Sequence, residues 1–291
     1  RMISESIVPT IENVGGKIIA NAGVEEVIVK NKKAIGVKLE SGDELYSELI
    51  ISSAGIANTY GKLINGSKYQ KLFNDRLNQL QPSGGYVCLY IGLKGSAKDF
   101  NFNQTNLWIY PDYDHDKNIE KYSKNPKEKI PLLYISFPSS KDPAWEKNHG
   151  NTSTIEAITM DRFEWYDKWS QTYWKKRPED YRDYKENLKN RILEIVYKHV
   201  PQIKNKIDFV EISTPLTNRD LANYPKGELY GLDHVPERFQ AHWLRPQTEI
   251  KNFYLTGQDI TSAGLTGALF SGVLTASSIY KKNILKLIYN D

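Results

Sequence analysis

The stretch from Phe253 to Gly272 reads Phe-Tyr-Leu-Thr-Gly-Gln-Asp-Ile-Thr-Ser-Ala-Gly-Leu-Thr-Gly-Ala-Leu-Phe-Ser-Gly, and it constrains the fold more than any other part of the chain. Its order predicts a short apolar strand, a turn at Gly257-Gln258-Asp259 and a glycine-rich helix start. That arrangement sets a carboxylate, Asp259, beside the backbone N–H groups that open a helix, where donors lack intrahelical acceptors and the dipole favours negative charge. Two readings of this local chemistry stand level. Either Asp259 or Thr261 caps the helix, or the carboxylate and the helix end together hold a ligand with hydroxyls and an electron-rich edge. The helix lies in an uncharged run of 21 residues, Ile260 to Tyr280, which is long enough to cross a bilayer. Ten of those residues are Gly, Ser or Thr, so the run is too polar for a span and predicts a buried helix packed closely on a ligand.

The first 55 residues carry the clearest pattern. Arg1-Met2-Ile3-Ser4-Glu5-Ser6-Ile7 reads as the middle of a helix, and the chain is expected to be the C-terminal portion of a longer protein. Gly15 to Ala20 predicts a short strand. Val24 to Val29, Ala34 to Leu39 and Glu44 to Tyr46 predict an antiparallel meander with polar turns at Asn31–Lys33 and Ser41–Asp43. Leu49 to Gly55 is a continuous apolar run ending in small residues. Taken alone it is an ordinary buried parallel strand, and ligands of open α/β sheets sit at the carboxyl ends of such strands.

The middle of the chain predicts α+β structure: a helix over Lys71–Leu80, strands over Gly85–Leu93, Trp108–Pro111 and Leu132–Pro138, and a charged, exposed loop from Asp112 to Lys129. A helix over Asp161–Trp174 would place Trp165, Tyr166, Trp169 and Tyr173 within roughly a quarter-turn. Such a stripe is either core or the lining of a lipophilic tunnel or membrane interface. A second amphipathic helix over Tyr184–Val200 and a strand over Ile207–Ile212 complete the pattern.

Composition narrows the chemistry. The formal charge of +4 comes from interleaved Lys and Glu without a basic block, which argues against a nucleic-acid partner. The single cysteine, Cys88, excludes intrachain disulfides and cysteine metal clusters, and its strand setting predicts a core thiol. The five histidines show no metal-ligand spacing and no metal site is expected. No nucleophile elbow occurs, and no acid–base set identifies catalytic residues, as expected where a cofactor carries the chemistry.

Three groups of residues together resemble the C-terminal part of the phytoene desaturase, carotenoid isomerase and retinol saturase family of FAD flavoproteins. The first is Gly15-Gly16 with Val24-x-x-Val27, Gly36-Val37 and Ser52-Ser-Ala-Gly55. The second is Ser213-Thr-Pro-Leu-Thr-Asn218 with Gly227-x-x-x-Gly231. The third is Leu244-Arg-Pro-Gln-Thr248 running into Leu255-Thr-Gly-Gln-Asp259. Arg-Pro-Gln-Thr, Leu-Thr-Gly-Gln-Asp and Tyr230-Gly231 are similar to the retinol saturase branch in particular.

The resemblance implies an α/β plus α+β fold: a partial FAD-binding domain, Rossmann-like and of the glutathione reductase type, with an inserted substrate domain of antiparallel sheet and helices. It divides the chain into 1–58 and 244–291 for FAD and 59–243 for substrate. It implies that Val24 meets the adenine by its backbone and that Ser53, Ala54 and Gly55 lie near the nucleotide. Gly257 and Asp259 would serve the ribityl chain, and Gly264, Leu265, Thr266 and Gly267 the flavin ring. Tyr230 and Gly231 would face the substrate side of the ring. Apart from the resemblance, His234 in Tyr230-Gly-Leu-Asp-His234 is either a substrate-site residue or an ordinary surface or hydrogen-bonded histidine. The implied activity is hydride exchange between flavin N5 and a carbon–carbon bond of a polyene or other lipophile, with NAD(P) a candidate electron donor or acceptor. Cytoplasmic placement with peripheral membrane contact follows from such a substrate. The family's G-x-G-x-x-G does not occur in these 291 residues, so the pyrophosphate site is expected elsewhere and these residues alone are expected to be inactive. Two alternatives stay open: a carotenoid cis-trans isomerase using reduced flavin, and a non-catalytic lipid- or carotenoid-binding remnant.

Overall fold

The computed structural model describes residues 2–64 and 69–289, so Arg1 lies outside them. The chain falls into two units, Arg1–Gln81 with His234–Asp291, and Pro82–Asp233. Helix α1 (Met2–Glu12) opens the first unit and buries none of its residues. The meander follows as β1 (Val24–Lys30), β2 (Lys33–Leu39) and β3 (Glu44–Tyr46), antiparallel and in that spatial order. Asn31 and Lys32 take φ of 50° and 64°, the paired positive values of a type I′ turn that suits the twist of a tight hairpin. β4 (Ile50–Ser52) leads through a glycine turn into the short helix α2 (Ile56–Asn58), a π turn over Thr59–Leu63, and α3 (Tyr69–Leu77).

Two expectations shift here. Gly15 to Ala20 forms no strand, and Ile18 and Ile19 are exposed. A strand needs a neighbour to take up its N–H and C=O groups, and no described strand pairs with this segment, whose Gly15 and Gly16 amides instead close the end of α1 on Glu12 O and Ile11 O. β4 is also shorter than the apolar run that encodes it. Ile51 faces outward, because the strand has one parallel neighbour among the described residues.

The second unit is a five-stranded antiparallel sheet in the order β6-β7-β8-β5-β9. Its strands are β5 (Gly85–Lys94), β6 (Leu107–Ile109), β7 (Leu133–Ser136), β8 (Thr152–Asp161) and β9 (Ile207–Ser213). The helices are α4 (His115–Lys124), α5 (Pro138–Lys141), α6 (Trp145–His149), α7 (Glu179–His199) and α8 (Pro215–Ala222). The charged Asp112–Lys129 segment, expected as a loop, thus contains α4. Period-2 alternation directs Val87, Leu89, Ile91, Leu133, Ile135 and Ile155 to one face, where Leu188, Ile192 and Val196 of α7 pack among them. Ten residues of β8 pair with all ten of β5, making these the long central strands of the sheet.

The aromatic stripe resolves against the α-helical reading. Phe163–Trp169 is a 3₁₀-helix, in which residues three apart eclipse. Phe163, Tyr166 and Trp169 therefore share a face and form a buried cluster with Tyr181 and Leu216, while Tyr173 is exposed. Tyr166 and Trp169 are core.

The chain re-enters the first unit through α9 (Pro236–Gln240), β10 (Phe253–Leu255), a 3₁₀ turn over Gln258–Ile260, α10 (Gly264–Tyr280) and α11 (Ile284–Tyr289). β10 lies parallel to β4, with Phe253 opposite Ile50 and Leu255 opposite Ser52. No helix of the described residues is long and apolar enough to cross a membrane.

Candidate functional site

The parallel pairing of β4 and β10 brings two glycine turns, distant in sequence, to the same end of the first unit. Thr256 N–H donates to Ser52 O at 2.9 Å, extending the ladder to the strand ends. Immediately beyond, Asp259 is buried, and its Oδ2 accepts the Ile56 N–H at 2.8 Å. Asp259 thereby serves the first amide of the turn that β4 enters. Gly55, at φ 81°, sits so close that an added Cβ would lie 3.4 Å from Asp259 Oδ2. A Cβ on Gly257, at φ 102°, would stand 3.8 Å from Ser53 O. Ser53, Gly55, Gly257 and Asp259 thus form one cluster, with Ser53 and Ala54 exposed at its mouth.

Helix α10 starts five residues after Asp259. Its N-cap residue Ala263 has no side chain to donate or accept, so the opening amides look elsewhere. Ala263 N–H donates to His234 Nε2 at 2.7 Å, and Gly264 N–H to Gln258 Oε1 at 3.2 Å. Leu265 and Thr266 follow in the first turn of the helix, whose amides have no intrahelical acceptor, and both residues are exposed. Gly264 is open, with no atom within 4 Å of a built Cβ. Gly267 differs: a Cβ there would fall 1.9 Å from Ser262 O. Its glycine is required by the chain's own entry loop.

The small polar residues of the uncharged run have a packing role. Ser271 Oγ accepts the Gly257 N–H at 2.7 Å and shares a proton with Thr256 Oγ1 at 3.0 Å. Thr275 Oγ1 reaches Leu255 O at 2.9 Å. Buried hydroxyls, one turn apart, therefore seat α10 directly on β10 and its turn. Motif reading did not single out Ser271, Thr275, Ile56 or Arg238. For the two hydroxyls the available signal was their i, i+4 spacing within an uncharged helix.

The remaining sequence-derived residues belong to other elements. Val24 opens β1 opposite Leu39 in the meander. Tyr230 and Gly231 belong to the second unit, where Tyr230 N–H donates to Ser83 Oγ at 3.0 Å and Gly231 O accepts from Ser83 N–H at 2.7 Å. Tyr230 meets Tyr86 edge-on at 6.2 Å, and burial raises the Tyr86 phenol above its ordinary range. His234 is exposed in the first unit, at the foot of α10.

The sheet of the second unit also presents a face away from α7. Across its five strands the register aligns Trp108, Tyr134, Ile158, Cys88 and Ser213 in one row. Trp108 is 59% exposed on this face. Burial pushes the Cys88 thiol up to about 12, which makes it an apolar filler with negligible thiolate. At the edge of this face, Tyr90, Trp174 and Tyr181 line a groove of about 790 Å³ together with Arg182 and Lys185.

These units have a mixed α/β fold with antiparallel sheets, and solved oxidoreductases share it. A solved putrescine oxidase shares it at a TM-score of 0.57 and 15% identity, over 96% of this chain and 53% of that one. The chain is homologous to the all-trans-retinol 13,14-reductases, with phytoene desaturase and prolycopene isomerase further out, the family its motifs resemble. The rat reductase (Rattus norvegicus) is 37% identical over 95% of this chain and 48% of its own length. A neurosporene-forming phytoene desaturase of Rhodobacter capsulatus is 26% identical over 95% of the chain and 52% of its own length. The chloroplastic prolycopene isomerase of Arabidopsis thaliana is 26% identical over 95% of the chain and 44% of its own length. The chain spans about half the length of the curated relatives it matches. No protein-family model matches it.

Proposed function

We propose that this chain forms the ribityl and flavin-ring side of an FAD site, together with a substrate domain, in an oxidoreductase acting on carbon–carbon bonds of a polyene or similar lipophile. The observation that carries this reading is the buried Asp259, held at the end of β4 by the Ile56 amide beside the opening of α10. The donor set fits the cofactor. A carboxylate accepts from ribityl hydroxyls, the first-turn amides of Leu265 and Thr266 suit the electron-rich pyrimidine edge, and Gly264 leaves room for close approach. When bound, the flavin supplies hydride exchange at N5. The residues of this chain orient it: Gly257 and Asp259 on the ribityl chain, Ser53, Ala54 and Gly55 by the nucleotide, Val24 by the adenine. Gly264, Leu265, Thr266 and Gly267 form the helix opening.

Tyr230 and Gly231 are assigned to the substrate, and the row from Trp108 to Cys88 offers an apolar floor. A lipophilic substrate favours a cytoplasmic protein with peripheral contact to a membrane, and NAD(P) is the electron partner to test first. The homology to a prolycopene isomerase favours one second reading, double-bond isomerisation by reduced flavin without net redox change.

The test is the flavin content and absorbance of the full-length protein, followed by FAD titration of its Asp259→Ala and Asp259→Asn variants. Wild type is expected to carry FAD. Loss of one or two charge-assisted hydrogen bonds should raise the Kd roughly tenfold to a hundredfold in Asp259→Ala, and less in Asp259→Asn, which keeps an acceptor for Ile56. A colourless, FAD-indifferent wild type sinks the enzyme reading in favour of a lipid-binding remnant.

A further inference from the structure

We propose that Arg238 and His234 are positioning residues that clamp the Asp259 turn and aim the opening amides of α10. This rests on the FAD reading above and deepens it. Arg238 sits on the short helix α9 at 2% exposure, an unusual burial for a guanidinium. Its Nη2 donates to Gln258 O at 2.7 Å and to Thr261 O at 3.3 Å. These carbonyls bracket Asp259 and Ile260, so one guanidinium nitrogen, Nη2, holds both ends of the 3₁₀ turn. Asp259 Oδ2 is committed to Ile56, and the direction of its second oxygen therefore depends on the backbone that Arg238 holds.

His234 acts one step further along. Its Nε2 accepts the Ala263 N–H at 2.7 Å, which requires a bare Nε2 and assigns the ring proton to Nδ1. With the proton on Nδ1, Nη1 of Arg238 can donate only to Nε2, at 3.4 Å, where it shares that acceptor with the Ala263 N–H and ties the ring to the turn. With Ala263 fixed by His234 and Gly264 by Gln258, the Leu265 and Thr266 amides point in one direction. A helix opening aimed at the flavin ring stabilises the electron-rich reduced form. Misalignment should weaken binding and lower the flavin potential. The engaged Nε2 makes His234 a part of this clamp, acting on the cofactor through the loop.

The test uses the full-chain holoprotein and the variants Arg238→Met, Arg238→Lys, His234→Leu and His234→Gln. Three quantities are read: amide exchange at Ala263 and Gly264 without FAD, the FAD Kd, and the flavin midpoint potential. Loss of a hydrogen bond to a charged or buried partner predicts roughly tenfold faster exchange and a roughly tenfold higher Kd in Arg238→Met and His234→Leu, with a lower potential. His234→Gln keeps an acceptor and should recover most of each, and Arg238→Lys, lacking the fork, should recover little. A lowered melting temperature with wild-type Kd and potential would mark a merely structural role and overturn the inference. Should Arg238→Met fail to fold, the exposed His234 decides the matter by the same readouts. A wild type that takes up no FAD overturns the cofactor reading, and this one with it. Wild-type binding with unchanged variants overturns this one alone.

Discussion

The two units of this chain handle their apolar side chains differently. In the second unit the sheet and α7 enclose a continuous core, from Val87 on β5 to Val196 on the helix. In the first unit α1 and α11 bury nothing, and Leu265, Leu269 and Phe270 of α10 are exposed beside an exposed Ile51. What holds the first unit's site is polar: Asp259 to Ile56, Ser271 to Gly257, Thr275 to Leu255, Arg238 to two carbonyls. A core of alternating apolar residues specifies itself by area and shape. A site framed by buried polar groups is specified by pairing, where each unmade bond costs more than a made one contributes. The second unit should therefore respond to volume, and the first to the loss of single donors or acceptors.

The largest expected effect lies where the second unit breaks its own rule. Asp161 ends β8 in near-complete burial, and desolvation pushes its carboxyl up to about 7, against opposing hydrogen bonds from Tyr166 and the Arg162 amide. A raised carboxyl favours the protonated folded state. Below about pH 4 both folded and unfolded chains hold this proton. Between pH 4 and 7 the folded chain keeps a proton that the unfolded chain has lost, so stability falls as pH rises, by as much as ~4 kcal/mol, and levels off above 7. Carboxyls with lowered values, such as Glu249 beside Arg76, run in the opposite direction. The difference between wild type and Asp161→Asn isolates the effect. Urea midpoints from pH 4 to 8 should converge at low pH and separate above it, and parallel profiles would refute the assignment.

Next in size is a cavity. Ile155 is fully buried on a central strand, and Ile155→Ala should cost about 3 kcal/mol by lost transfer and a cavity that the sheet cannot close. Chemical denaturation measures it, and a cost under about 1 kcal/mol would mean that the core repacks freely.

How much of this was legible follows from the same contrast. The meander, the parallel strand and the central strand β5 show in the sequence because each is local. β8 was not legible: Thr152 to Asp161 alternates burial residue by residue in the structure, but its threonines and glutamate disguised a strand as a polar segment. The aromatic stripe was misread because the period was three and not 3.6: Phe163 replaces Tyr173 on the buried face. Within the site, Asp259 and the Gly55 turn were each visible, but their union was not. They lie 203 residues apart from Asp259 to Ile56, and a parallel pair of three-residue strands brings them together. Arg238 carried no signal at all. Pro236-Glu-Arg-Phe-Gln240 has the composition of a solvent-exposed turn, and only the carbonyls of Gln258 and Thr261 explain why a guanidinium is buried there.

A smaller effect tests the polar frame of the first unit. Ser271→Ala removes one oxygen and leaves the Gly257 N–H, which donates to it at 2.7 Å, without that acceptor. An unsatisfied, part-buried amide costs about 1–2 kcal/mol. The methyl group of alanine fills nearly the same space, so no cavity term enters. The accompanying sign is local: exchange at Gly257 should accelerate in proportion to the lost stability. A global loss without faster exchange at Gly257 would place the cost elsewhere on α10.

The smallest effect sharpens the contrast most. Leu269 is on the same helix, two residues from Ser271, and 54% exposed. Leu269→Ala deletes three carbon atoms and a branched side chain, as much as many core truncations. Yet side chains on an uncovered face contribute within about 0.5 kcal/mol, and alanine is the better helix former by a few tenths. The urea midpoint of the full chain should therefore stay within error of wild type, while Ile155→Ala, which removes a similar volume, shifts it strongly. A loss above about 1 kcal/mol at Leu269 would mean that this face of α10 is covered in solution. This face of α10 would then depend on apolar burial as the second unit's core does, and the distinction between a core set by volume and a site set by pairing would fail.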